Sequence, residues 1–323
     1  MKTFKNILWA TNGKDIGKKS WSRLLTVVKN NDARVTLVNV VDETPPDSSL
    51  LSGGSLLTST KARKDFQRTQ ITKSQASLNG IVEKLNKTGI KASAKVLKGR
   101  EFVEIIQRAI RFKHDLVIRN AEDSKKASFF SSENEDIHLL RNCPCPVLLM
   151  RPKVRADHPL LLAAVNPDPL NPERDALNKL ILSHTLALEQ SFKKCEIHIV
   201  NAWDIHREVG ARLLPNSETK MMSYREKRRR ADLVESMIDN FEGFKSQPTV
   251  HILKGDPKKI IPKVAKDIDA GVVIMGTICR TGIPGMIVGT TAEPIMSKLD
   301  CTILAIKPEG FVSSVTVKKH AKT

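Results

Sequence analysis

Short aliphatic runs alternate along the chain with longer stretches whose apolar residues fall at helical spacing. Ile7-Leu8-Trp9-Ala10-Thr11 leads into Asn12, and much later Leu161-Leu162-Ala163-Ala164-Val165 leads into Asn166. Val35 to Asp42 (VTLVNVVD) returns as Ile197 to Asp204 (IHIVNAWD), with Asn and Asp in the same places. Ala94 to Gly99 returns as Val250 to Gly255, Asp115 to Ile118 as Gly271 to Ile274, and Cys145 to Met150 as Cys301 to Ile306. Such runs read as buried parallel strands, which are aliphatic on both faces. Between them, Phe102-Val103, Ile105-Ile106 and Ala109-Ile110 form one apolar helix face, matched by Ile260-Ile261, Val264-Ala265 and Ile268.

The recurrence of all five strands in order makes this a tandem repeat. Alternating strand and helix predicts an α/β fold with a doubly wound parallel sheet and right-handed crossovers in each copy. The charged, proline-containing stretch from Arg151 to Pro159 marks the boundary, giving domains over 1–152 and 153–310 and a tail over 311–323. The copies differ most after their second strand. There Pro45 to Ser59 reads as a mobile loop, Pro215 to Ser223 takes the same part, and a long basic helix follows each. The tail after Pro308 reads as short, basic and disordered.

Composition narrows the class. The 323 residues suffice for two ordinary cores, and with 40% hydrophobic but only 4% aromatic residues those cores are aliphatic. No apolar run is long enough for a membrane span, and the N-terminus lacks the marks of a signal peptide. Five cysteines without a disulfide pattern point to a reducing, cytoplasmic setting. The formal charge of +18 favours acidic partners, although Lys and Arg are spread along the chain. Arg225 to Arg230 (REKRRR) is a local concentration that reads first as a solvated helix face and second as a weak nucleic-acid contact.

The stretch Val273-Ile274-Met275-Gly276-Thr277-Ile278-Cys279-Arg280-Thr281-Gly282-Ile283, continued by Gly289-Thr290-Thr291-Ala292-Glu293, resembles the universal stress protein family, as does His138 to Pro144. The likeness runs from about Phe4 to Pro308 and is to the tandem type. It implies two flavodoxin-like (adenine nucleotide alpha hydrolase-like) domains with strand order 3-2-1-4-5, joined through their last strands as an intramolecular pseudo-dimer. It further implies an adenine nucleotide such as ATP, with magnesium if ATP is bound, in the C-terminal copy. Asn166 and the Ala202 backbone would then lie by the base or ribose, and Gly276, Gly289, Thr290 and Thr291 by the phosphates. Cys279 stands where the family has its middle glycine, and Asn12 and Asn166 where it places an Asp.

Physical reasoning runs alongside the resemblance. Gly276 permits a tight turn after the fourth strand, and Gly289-Thr290-Thr291 opens a helix whose free N–H groups and dipole favour phosphate, with a Thr hydroxyl as cap. The first copy has no glycine between Gly99 and Gly210 and so no cradle of that kind. Cys143-Pro144-Cys145 could hold a soft metal but reads better as buried thiols, and His198 reads as an ordinary strand residue. Neither a nucleophile elbow, a Ser-His-Asp set nor a complete Walker loop is present, which argues against an enzyme. Two classes of function remain: a non-enzymatic stress-response binding protein with a phosphate-bearing ligand, or a degenerate interaction scaffold in stress or DNA-damage resistance with weak nucleic-acid affinity. A homodimer and a hydrophobic-ligand cavity are further readings.

Overall fold

The computed structural model describes residues 3–13, 18–41, 60–121, 134–151, 159–204, 216–277 and 291–317. Its first half runs β1 (Asn6–Ala10), α1 (Lys18–Asn30), β2 (Arg34–Val41), α2 (Thr60–Lys87), β3 (Ala92–Lys98), α3 (Glu101–Arg111), β4 (Leu116–Asn120), α4 (Glu135–Asn142) and β5 (Val147–Met150). The second runs β6 (Leu160–Ala164), α5 (Pro172–Ser191), β7 (Glu196–Trp203), α6 (Asn216–Asp239), β8 (Thr249–Lys254), α7 (Pro257–Asp267), β9 (Val272–Gly276), α8 (Ala292–Met296) and β10 (Thr302–Ile306).

The strands form one ten-stranded sheet in the order β3-β2-β1-β4-β5-β10-β9-β6-β7-β8. Each half is parallel with the expected order 3-2-1-4-5, and the halves meet where β10 runs antiparallel to β5, with Leu304 opposite Leu148. Strands near this seam are the most completely buried; β3 and β8 at the edges alternate with exposed positions. Alternation splits the core into two layers. Ile7 and Trp9 join Leu24, Leu78, Leu177 and Val234 beneath α1, α2, α5 and α6. Leu8 and Ala10 join Phe102, Ile137, Ile261 and Ile295 beneath α3, α4, α7 and α8.

Local chemistry accounts for the helix ends. Asn134 caps α4 by accepting from the N–H groups of Asp136 and Ile137, and Asp256 caps α7 by accepting from Lys258. Pro262 inside α7 has no N–H to give the Lys258 carbonyl, and Lys298 Nζ donates to that carbonyl instead at 3.0 Å.

Two expectations from the sequence change here. Pro215 to Ser223 is not a loop: residues 216–223 are the opening turns of α6. The tail is ordered as far as Val317. Gln107 Nε2 donates to the Thr316 carbonyl at 2.9 Å, Ser314 Oγ to Asn142 Oδ1 at 2.6 Å, and Val315 packs on the core. These partners lie in the first half, so the tail crosses the seam; its anchoring groups are scattered far upstream, which hides them from composition. The segment from Pro45 to Ser59 lies outside the described residues.

Candidate functional site

Open α/β sheets take ligands beyond the carboxyl ends of strands where the strand order reverses. In the second half that crevice lies between β6 and β9. Just past β6, the Asn166 N–H donates to Asn178 Oδ1 of α5 at 3.0 Å. Asn178 is buried, and its Nδ2 has no hydrogen-bond partner. On the adjacent strand the buried Asn201 donates from Nδ2 to the Val165 carbonyl at 2.9 Å, which turns its Oδ1 away from the backbone. Arg230 of α6 fills the space that remains. Its Nη1 stands 3.4 Å from both Asn166 Oδ1 and Asn201 Oδ1, and its Nε donates to Glu226 Oε1 at 2.7 Å. The guanidinium also lies over the Trp203 ring, 5.7 Å from its centroid.

This places Arg230 differently from the solvated face expected for REKRRR. Arg225, Arg228 and Arg229 are exposed, but Arg230 is 6% exposed. Helical periodicity puts it on the inner stripe, one turn after Glu226, and the run's uniform charge masks that phase.

The other sequence candidates sort as follows. Ala202 lies in β7 opposite Leu253 and packs into the layer away from Arg230, so only its backbone borders the crevice. Gly276 ends β9 paired with Ile306, and it makes no left-handed turn. A side chain there would collide with α5, since a Cβ would sit 2.6 Å from Leu177 Cδ2. The glycine thus serves packing rather than the expected turn. Thr291 precedes α8 in helical geometry and makes no side-chain cap bond; α8 is only 5 residues long, and its first turn carries Glu293. So short a helix with an acid in its first turn is a weaker phosphate end than expected. Cys279, Gly289 and Thr290 lie outside the described residues.

The first half fills the equivalent crevice with its own side chains. Asn120, at the position of Gly276, accepts from Trp9 Nε1 and donates to Thr11 Oγ1, both at 3.4 Å. Ser77 of α2 closes on Gly13, where an added Cβ would fall 2.0 Å from its Oγ. Behind them, buried Arg119 donates to Asp136 at 3.0 Å and forks onto Glu101. Burial alone would lower the Arg119 pKa, but the two carboxylates outweigh it and hold the guanidinium charged. Asp136 occupies the first turn of α4, and Asn134 already engages N–H groups there, so that helix end is satisfied from within.

At the seam, Arg141 of α4 forks onto Glu293 of α8. Lys307, just past β10, donates to the Leu140 carbonyl and to Thr277 Oγ1. Burial pushes its ammonium down to about 7, against the pull of Cys143 and Glu293. Cys143 and Cys145 lie with sulfurs 3.5 Å apart, and their contact, with burial, raises the Cys145 thiol well above its usual range. They therefore stay protonated at neutral pH, a poor state for a metal ligand. His198 has a partner the sequence did not disclose, because Nδ1 lies 2.7 Å from Nε2 of His251 on β8. Burial lowers both imidazoles, and the charge of His251 adds to the effect on His198.

Comparison with known proteins follows this geometry. The universal stress protein family matches residues 3–151 and again residues 175–307. The chain belongs to the universal stress protein family. Universal stress protein E of Escherichia coli strain K12 is 31% identical over 228 residues, 70% of this chain and 72% of its own length. Universal stress protein E of Photorhabdus laumondii is 27% identical over 323 residues, covering 99% of this chain and 100% of itself. Among solved structures, a universal stress protein from Archaeoglobus fulgidus superposes with a TM-score of 0.65 at 17% identity, over 95% of this chain and 98% of its own. A functionally unknown protein from Pseudomonas aeruginosa PAO1 gives 0.67 at 23% identity, over 95% and 94%. The tandem fold and the family are thereby established. No described helix is long and apolar enough to cross a membrane.

Nucleotides are the ligands that this fold implies, and the residues of the second crevice fit a phosphate-bearing group on donor chemistry. A permanently charged guanidinium and an orphaned buried amide donor both await acceptors. The first crevice offers no such surplus among its described residues.

Proposed function

We propose that this protein is a non-enzymatic stress-response binding protein that takes one phosphate-bearing ligand, an adenine nucleotide or a relative of it, in the crevice of its second half. The observation that carries this reading is the contrast between the halves. Asn120, Ser77 and the Arg119 ion group close the first crevice, while Asn178 Nδ2 and Arg230 leave donors in the second. Asn166 and the Ala202 backbone would hold the nucleoside, and Gly276, Cys279, Gly289, Thr290 and Thr291 would border the phosphates. Magnesium, where ATP is the ligand, would be carried largely by the phosphate oxygens.

Native mass spectrometry of the full chain with millimolar ATP and magnesium tests it. The expected result is a single nucleotide adduct that Gly289→Trp removes. No adduct with either ATP or GTP would leave the scaffold reading, in which the same fold presents surfaces to other macromolecules.

A further inference from the structure

The polar atoms around Arg230 are arranged with one sense. Asn201 is oriented by its donation to the Val165 carbonyl, so its Oδ1 faces the guanidinium. Asn166 presents its own Oδ1 to the same Nη1. Asn178 spends its Oδ1 on the Asn166 N–H and keeps Nδ2 without a partner. The acceptors at this end of the crevice are thus already directed at Arg230, and the capacity left over is donor capacity. Arg230 cannot lose its proton, so this sense does not change with pH. Both Asn contacts are 3.4 Å long, in contrast to the 2.7 Å bond that fixes Nε to Glu226. A ligand acceptor can replace the long pair while Glu226 continues to hold the side chain.

Resting on the reading above, we infer that the β6–β7 end of the crevice selects a ligand group with two adjacent acceptors and no donor between them. Guanine presents such a pair in O6 and N7, and a phosphate on the ribose presents another. Adenine places its 6-amino donor beside N7, where it would oppose a guanidinium rather than receive it. Arginine is the side chain that forks onto O6 and N7 of guanine, and a well-made fork discriminates between bases by roughly 10- to 100-fold. Trp203, with its ring beneath the guanidinium, limits the directions in which the fork can swing.

Titration calorimetry of the full chain at fixed ionic strength separates the cases, with GDP, ADP, adenosine 3′,5′-bisphosphate and pyrophosphate as probes. The inference expects GDP to bind about tenfold or more tightly than ADP. Arg230→Lys keeps the charge but loses the fork. It should bring the GDP to ADP ratio within about twofold while leaving the thermal melt in place; Arg230→Met should do the same if it folds. The bisphosphate binding more tightly than ADP while GDP does not would assign the acceptor pair to a ribose phosphate, within the same inference. ADP binding as well as or better than both GDP and the bisphosphate overturns it, as does a GDP preference that survives Arg230→Lys. Pyrophosphate and ADP binding without any preference would sink this inference alone. Failure of every probe would sink the nucleotide reading with it.

Discussion

Gly276 and Arg119 are counterparts in effect, each deciding what its crevice can hold. Gly276 lets Leu177 of α5 lie against the end of β9. Gly276→Ala should destabilise by about 1–3 kcal/mol through overpacking. Leu177→Ala should relieve part of that cost, so urea melts of the two single variants and the double variant should show coupling above about 0.5 kcal/mol. Arg119→Met leaves Asp136 and Glu101 without the cation they face in a buried setting, a loss of about 3–5 kcal/mol. Lys307 supplies a pH signature. Its proton is held less tightly in the folded chain than in the unfolded one, so between about pH 7 and pH 10.5 the unfolded state binds more protons. Stability from this group therefore rises with pH across that window, by up to about 1.4 kcal/mol per unit. Urea midpoints at pH 7 and pH 9 should move apart in the parent relative to Lys307→Met; equal movement in both would refute the assignment.

The elements were legible to different degrees. Strands and their order followed from aliphatic runs and from the repeat, since a buried parallel strand needs little beyond apolar side chains. Helices α3 and α7 were legible from one apolar stripe each. What the sequence hid were pairings across long separations: Asn120 with Thr11 and Trp9, His198 with His251, and the tail with α3 and α4. No periodicity records such contacts. The phase of Arg230 on α6 was available from Glu226 one turn earlier, but a run of like charges obscured it. The tail is the element whose role is easiest to test. Ending the chain at Pro308 removes the Phe311 and Val315 contacts and should cost about 1–3 kcal/mol, read from the urea midpoint.

At the scale of the whole molecule, the antiparallel seam between β5 and β10 points the carboxyl ends of the two half-sheets in opposite directions. The two crevices therefore open at opposite edges of one continuous sheet, and the covalent tandem has let them diverge. One is sealed by protein groups and gives the other half a fixed partner, with Arg141 reaching across to Glu293 beside the second crevice. The charge of +18 acts over the entire surface and predicts weak nucleic-acid binding with a steep salt dependence. Filter binding at two salt concentrations reads this directly, and salt-insensitive binding would contradict it.

The central claim is that one crevice of two is competent. Native mass spectrometry of the full chain, titrated with ATP or GTP, measures it most directly. One nucleotide per chain, lost in Gly289→Trp and retained in Asn12→Trp at the first crevice, is the predicted result. Two nucleotides per chain, or one that Asn12→Trp removes and Gly289→Trp does not, would contradict it.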